Sequence, residues 1–419
     1  MRFNFFKRFW YLLLSIGPGI FCIGYTIGTG SVTAMAKAGS EFGMQLLWVL
    51  VLSVIFAWVL MEAYGRYAVI TGSTAIHSFR KKIKRGNLLA IAIIIGVVVG
   101  QWNSLTGILG LSANAVYELV HMFFPGTSSD NYWAVLGIAV VLIISLYGLL
   151  LIGNYSFFEK VLIVFVTFMG ASFLFSMIIV LPEPSEIISG LKPSIPDVPG
   201  GRLMVAAFVG TTMAAPTFIV RPLLMKGKKW GKANTREQSR DALFSAILMF
   251  VISASIMITA TGALYHEGKV VSKVLDMVYT LEPMAGKFAV AIFVVGTLSA
   301  GLSSIFPILM VAPLLIADYQ NGELDTNSKQ FKVLTAIAAL FGLTVPIVGA
   351  NPIIAQIATQ VANVFVLPFV IGAIIYLINN KKEMGDNKAG VLLNIGLGSA
   401  FIFSCFIAYN GIIALNELI

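Results

Sequence analysis

Two short runs hold much of the chemistry in this sequence: Gly28, Thr29, Gly30, Ser31 and, in the second half of the chain, Ala214, Ala215, Pro216, Thr217. Each lies at the centre of a long apolar segment, and each is made of residues that unwind or break a helix. A helix broken at bilayer depth frees N–H and C=O groups that lipid cannot satisfy, so such breaks are kept where they line a polar cavity. Gly-Thr-Gly-Ser at the start of a half-helix offers several backbone N–H groups at the positive end of the helix dipole, which suits a carboxylate or phosphate. The same glycines equally permit simple unwinding or close packing of helices.

Other polar residues stand out against the apolar background. Arg221 follows Pro216 by a little over one turn. At membrane depth it would bind an anionic substrate, pair with an acid, or snorkel toward water. Gln101, Trp102 and Asn103 form an amide-and-aromatic cluster suited to a neutral polar ligand, or to holding helices together. Ser303 and Ser304 could face backbone carbonyls of the first broken segment, a set of hard oxygens that fits Na⁺. Glu62 and Arg66, four residues apart, fit an i,i+4 pair or an inner-gate contact. No phosphate-binding loop, His/Cys metal cluster or nucleophile constellation is present, so the sequence offers nothing to an enzyme reading.

These residues need elements to hold them, and composition says which. The 419 residues are 58% hydrophobic and 11% charged, with a mean hydropathy of +0.91, against about 25% charged in ordinary soluble domains. Apolar segments fall near 12–39, 45–70, 88–120, 132–151, 157–181, 203–225, 239–264, 285–316, 330–349, 352–379 and 388–415. Most reach the roughly 20 residues that cross a bilayer. The chain is therefore expected to be a single all-α polytopic membrane domain, 1–419, with eleven spans.

The breaks fall in spans 1 and 6. The Pro- and Gly-rich loop from Pro182 to Gly201 separates span 5 from span 6. That order predicts a 5+5 inverted repeat, repeat one about 10–181 and repeat two about 203–379, with 388–415 as an extra helix. The net charge of +9 invites a nucleic-acid partner, but 17 of the 28 Lys and Arg cluster in alternate loops: Arg2 to Arg8, Arg80 to Arg85, Lys226 to Arg240 and Lys381 to Lys388. That is the positive-inside pattern of a multi-pass protein of the cell membrane. It puts the N-terminus in the cytoplasm and, after eleven spans, the C-terminus outside. The partners are then anionic lipid and a small substrate, with no nucleic acid, and the protein is expected to be a monomer. Cys22 and Cys405 both lie in apolar segments, which excludes a disulfide framework.

At Gly17-Pro18-Gly19, the break from Gly28 to Ser31, Gln45 through Trp48 to Val49, Ala300, Gly301, Ser303 and Ser304, and Thr359 and Gln360 with Leu367 and Pro368, the chain resembles the natural resistance-associated macrophage protein (Nramp) family. The resemblance implies the LeuT-like inverted repeat, with a bundle of spans 1, 2, 6 and 7 moving against a scaffold of spans 3, 4, 8 and 9. It implies a secondary transporter of divalent metal ions, typically Mn²⁺ or Fe²⁺ with protons, and makes Gln360 part of the site. The departures fall on the chemistry. Gly28 and Ser31 stand where the family carries Asp and Asn, and Ala215, Pro216, Thr217 where it carries Met-Pro-His. Gln101 and Ser104 stand where it has a proton-relay Asp and Glu. Carboxylate, imidazole and thioether are what select a bare transition metal. The expected site residues are Gly28, Thr29, Gly30, Ser31, Gln101, Asn103, Ala215, Pro216, Thr217, Arg221 and Gln360. No cofactor is expected, and the coupling ion is Na⁺ or H⁺. A small organic solute, neutral polar or carboxylated, stands as the alternative substrate, and a non-transporting sensor is a third possibility.

Overall fold

The computed structural model describes residues 18–124, 131–152, 155–198, 200–271, 276, 282–320 and 326–416. The basic tail Arg2, Lys7 and Arg8, Gly17 and the start of span 1 lie outside these residues. Among the described residues ten helices or collinear helix groups are long and apolar enough to cross a membrane, and a bent pair makes an eleventh.

Span 1 is that pair, Pro18–Thr26 and Thr29–Phe42, bent by 49° where Ile27 and Gly28 leave the helix. Span 2 is Leu47–Thr71, span 3 Gly86–Phe123, span 4 Asn131–Ile152 and span 5 Tyr155–Ile179. Span 6 is assembled from Gly201–Thr212, Ala215–Ile219 and Arg221–Gly227. Span 7 is Thr235–Leu264 and span 8 Glu282–Gln320. Span 9 runs through Lys329–Gly342 and Thr344–Val348, span 10 through Pro352–Asn363 and Leu367–Asn379, and span 11 is Val391–Asn416.

Burial sorts the spans into centre and rim. The most apolar window of span 6 is 94% buried and that of span 8 is 83% buried, against 28% for span 4 and 22% for span 11. A helix apolar on every side and covered on every side belongs at the middle, and one left uncovered faces lipid. Two packing groups surround the centre. Span 7 lies along the second half of span 1 and along span 2, while span 8 lies along spans 5 and 3. Span 10 closes the ring by packing on both span 3 and span 6.

The basic loops after spans 2 and 10 meet at one end of the molecule. Lys82, in the helix Ala75–Lys82, forms an ion pair with Glu383 in the turn after span 10. Burial and then the neighbouring Lys81, Lys82, Arg80 and Lys226 push the His77 imidazole below its ordinary proton affinity, which places the third basic loop there too. The Ala75–Lys82 helix is not capped by its own N-cap residue, Thr74. Asp318, from the end of span 8, accepts the N–H groups of Ile76 at 3.0 Å and His77 at 3.1 Å instead. Those are first-turn donors with no partner inside the helix. Asp318→Ala should therefore lower stability by about 1–2 kcal/mol, as an N-cap loss does, read as an earlier thermal unfolding midpoint in detergent. An unchanged midpoint would show that this helix is held by its other contacts alone.

Candidate functional site

The breaks of spans 1 and 6 lie side by side. Thr26, the last residue of the first half-helix, has its hydroxyl 3.2 Å from that of Thr217, and Thr211 Oγ1 donates to the Thr26 carbonyl at 3.3 Å. The Cys22 thiol donates to the Thr217 carbonyl at 3.3 Å. The Thr26 carbonyl at the first break is thus met by a hydroxyl of span 6, as a break in hydrocarbon requires.

Span 6 unwinds slightly earlier than its proline suggests. The residues outside helical geometry are Met213 (ψ 41°) and Ala214 (ψ 121°), and the helix resumes at Ala215. Pro216 sits in the first turn of that helix, where a missing N–H costs no hydrogen bond. Ala215, Pro216 and Thr217 are therefore helical, and none of the three lines the space between the breaks.

That space is a small cavity of about 10 Å³, enough for one water molecule or one bare ion. Gly28, Gly30 and Ser31 of span 1 form one wall. Gln101 and Ser104 of span 3 and Gln360 of span 10 form the facing wall, with Thr211 and Ala214 of span 6 and Ser304 of span 8 completing it. Tyr25, Ile108 and Ile308 supply the rest, and the Tyr25 hydroxyl is engaged, donating to the Pro307 carbonyl at 2.7 Å. The Ser31 hydroxyl is fully buried and has no hydrogen-bond partner among the described residues. A buried hydroxyl left unpaired costs about 1–3 kcal/mol, so its position invites a ligand.

The far wall is a connected amide network. Gln356 Nε2 donates to the Ser104 carbonyl, Gln360 Nε2 lies 3.3 Å from Gln356 Oε1 and 3.5 Å from Ser104 Oγ, and Asn363 Nδ2 donates to Gln360 Oε1 at 3.2 Å. Gln356 was not singled out from the sequence. It stands one turn before Gln360 on the same helical face, and that i,i+4 spacing is the signal that could have found it. Ser104 is placed beside Gln101 by the same one-turn logic.

The glycines of span 1 serve close approach. A Cβ at Gly28 would stand 2.2 Å from Ser304 Oγ, and one at Gly30 would stand 2.3 Å from Gln360 Nε2. Ser304 in turn donates its hydroxyl to the Gly24 carbonyl, the serine-to-carbonyl contact expected between spans 8 and 1, whereas Ser303 donates to Ala300 on its own helix.

Two expected residues stand elsewhere. Asn103 is exposed on the outer side of span 3 and donates to the Val99 carbonyl at 2.8 Å. Trp102 turns toward span 9, its ring 6.1 Å from that of Phe341. Consecutive helical residues point about 100° apart, so of the three only Gln101 reaches the cavity. Arg221 is also outside it. The side chain is 0% exposed and its Nη2 lies 2.7 Å from Asp241 Oδ2 of span 7. Of the three roles open to it, pairing with an acid is the one the structure shows. Glu62 accepts from Gln238 Nε2 at 2.8 Å and from Ser239 Oγ at 3.0 Å. Thr29 is placed by its backbone alone, as the first residue of the second half-helix.

The family model described as natural resistance-associated macrophage protein-like matches residues 19–414. The chain belongs to the Nramp family. It is 23% identical over 416 residues to the divalent metal cation transporter MntH of Verminephrobacter eiseniae, covering 97% of this chain and 90% of that one. It is also 23% identical over 386 residues to the MntH of Caldanaerobacter subterraneus, covering 88% and 86%. Among solved structures, a mutant of the manganese transporter of Eremococcus coleocola superposes with a TM-score of 0.73 at 15% identity over 97% of this chain and 87% of that one. MhsT in complex with L-phenylalanine superposes with a TM-score of 0.65 at 15% identity, over 96% and 98%. The fold is thus the LeuT-like one the resemblance implied.

As an Nramp chain it shares the family's architecture. At the four positions where the resemblance implies Asp, Asn, Met and His stand Gly28, Ser31, Ala215 and Thr217. Among the described residues no group of three or more His, Cys, Asp or Glu stands close enough to hold a metal ion. The cavity is walled by hydroxyls, amides and backbone.

The Gly28–Ser304 contact makes a quantitative prediction. Gly28→Ala should destabilise the protein by about 1–3 kcal/mol, the usual cost of overpacking. Adding Ser304→Gly, which removes the colliding atoms, should recover much of that loss. A double-mutant cycle on thermal or denaturant stability measures the coupling, and strict additivity would contradict the close approach.

Proposed function

We propose that this protein is a secondary transporter that works by alternating access and carries a divalent metal ion through the cavity between its two broken helices. The reading is carried by the fully buried, unpartnered Ser31 hydroxyl, facing an ion-sized cavity whose other polar walls are oxygen-bearing amides and hydroxyls. Family membership supports a metal substrate, and the donor set narrows which metal. Without thiolate, thioether, imidazole or carboxylate, the site suits hard cations such as Mg²⁺ over the softer transition metals. Neutral donors bind weakly, and weak binding suits a site that must release its cargo.

The basic end is read as cytoplasmic, with the N-terminus inside, the C-terminus outside, anionic lipid around the basic loops and the protein acting as a monomer. The cavity lining holds one titratable side chain, Tyr25, already engaged with Pro307. We therefore assign the coupling role to Na⁺, at the Gly24 carbonyl and Ser304 hydroxyl, in preference to H⁺.

A second reading rests on a specific observation. The second half-helix of span 1 starts at the cavity, with Gly28, Gly30 and Ser31 lining it. A helix N-terminus beside amide side chains suits a small carboxylated solute, if the cavity widens to admit it.

Uptake into proteoliposomes under an imposed Na⁺ gradient separates the two. The metal reading predicts Mg²⁺ entry that exceeds Mn²⁺ entry and falls about tenfold in Ser31→Ala or Gln360→Ala, as loss of one polar contact allows. Entry of amino acids with no entry of either ion would replace it with the second reading.

A further inference from the structure

Among the described residues Arg221 is one of the largest fully buried side chains, and the cavity does not use it. It opens the last helix of span 6, with Pro222 behind it. Its Nη2 lies 2.7 Å from Asp241 Oδ2 and donates to the Gln238 carbonyl at 3.1 Å, both on span 7. Its Nη1 lies 3.9 Å from the Cys22 sulfur on the first half of span 1. The other oxygen of Asp241 accepts the Gly19 N–H of that same half-helix at 3.2 Å. A Cβ at Gly19 would fall 1.9 Å from Ser245 Oγ, so the span 7 side chains reach the span 1 backbone at this glycine. Gln238 extends the network to Glu62 of span 2.

One ion pair therefore ties the first half of span 1 to spans 6 and 7. The same half-helix also rests on the other packing group: Tyr25 donates to the Pro307 carbonyl, and Ser304 to the Gly24 carbonyl, both on span 8. Opening the cavity toward the basic end requires this half-helix to leave span 8. A neutral hydrogen bond can be exchanged for water gradually. A fully buried pair is either intact or leaves a bare charge in an apolar place, so it acts in an all-or-none way.

We propose that Arg221 and Asp241 form a latch that fixes the first half of span 1 to spans 6 and 7. With the latch closed, the half-helix leaves span 8 only as part of one body with spans 6 and 7. With it broken, the half-helix swings free and its surface meets cytoplasmic water. Arg221 is a positioning residue here, acting through Asp241 and Cys22. The proposal concerns motion alone and stands whatever the substrate.

Cys22 reports on the latch directly, since it is buried against Arg221 and Thr217. The only other cysteine, Cys405, is exposed on span 11 and is removed as Cys405→Ser. In membrane vesicles, N-ethylmaleimide should alkylate Cys22 slowly in this parent. Arg221→Gln or Asp241→Asn should speed it by about tenfold or more, since the opened population sets the rate. A cysteine introduced as Ala34→Cys in the second half-helix, with Cys22→Ala and Cys405→Ser, reads general loosening and should stay slow in the same variants. Rates within about twofold of the parent in folded variants, or equal acceleration at both positions, would overturn the latch. Where the neutral variants fail to fold, Arg221→Lys decides. It keeps the charge but cannot serve Asp241, Gln238 and Cys22 together, so a severalfold faster reaction supports the latch and the parental rate overturns it.

Discussion

Interrupting a helix inside hydrocarbon leaves backbone N–H and C=O groups that lipid cannot satisfy, and this protein interrupts two helices next to each other. Much of the interior answers that constraint. Thr211 and Thr217 of span 6 meet Thr26 at the end of the first half of span 1, and Ser304 of span 8 meets the Gly24 carbonyl. The most thoroughly covered spans are the ones that carry or flank the breaks, and the rim helices, spans 4 and 11, are left to lipid. The cavity is what remains where the breaks cannot quite satisfy each other, and the unpaired Ser31 hydroxyl marks it.

Glycine at positions 28 and 30 is the price of this arrangement as well as its means. The resemblance places a carboxylate at position 28, yet here span 1 lies so near span 8 that even a methyl group would collide with Ser304. The cavity beside these glycines is narrow, with walls of hydroxyl and amide. The buried pair Arg221–Asp241 lies outside the cavity lining, where it ties helices together.

The fold was legible because its signals are long and repeated. The apolar segments, the alternation of basic loops and the two interruptions each span many residues, and the helices lie within a few residues of where hydropathy puts them. The cavity lining was legible where a residue is next to a break or one turn from a polar neighbour, as with Gly28, Gly30, Ser31, Gln101 and Gln360. It was not legible where the face of a helix decides. Asn103 adjoins Gln101 in sequence but points outward, since side chains turn about 100° per residue. Pro216 suggested an unwound stretch one or two residues too late, because proline is at home in the first turn after a break. Asp241, near the start of span 7, carries no local signal for its partner. Only packing shows that it answers both Arg221 and the Gly19 N–H.

The central claim is that the neutral oxygen cavity between the breaks binds a hard divalent ion. Calorimetric titration of the purified protein with Mg²⁺, and separately with Mn²⁺, tests it most directly. The account predicts Mg²⁺ binding with a dissociation constant on the order of 0.1–1 mM, as expected for a site poor in charged ligands, with Mn²⁺ no tighter and the heat lost in Ser31→Ala. No heat from either ion with folded protein, or Mg²⁺ binding that Ser31→Ala leaves untouched, would contradict it.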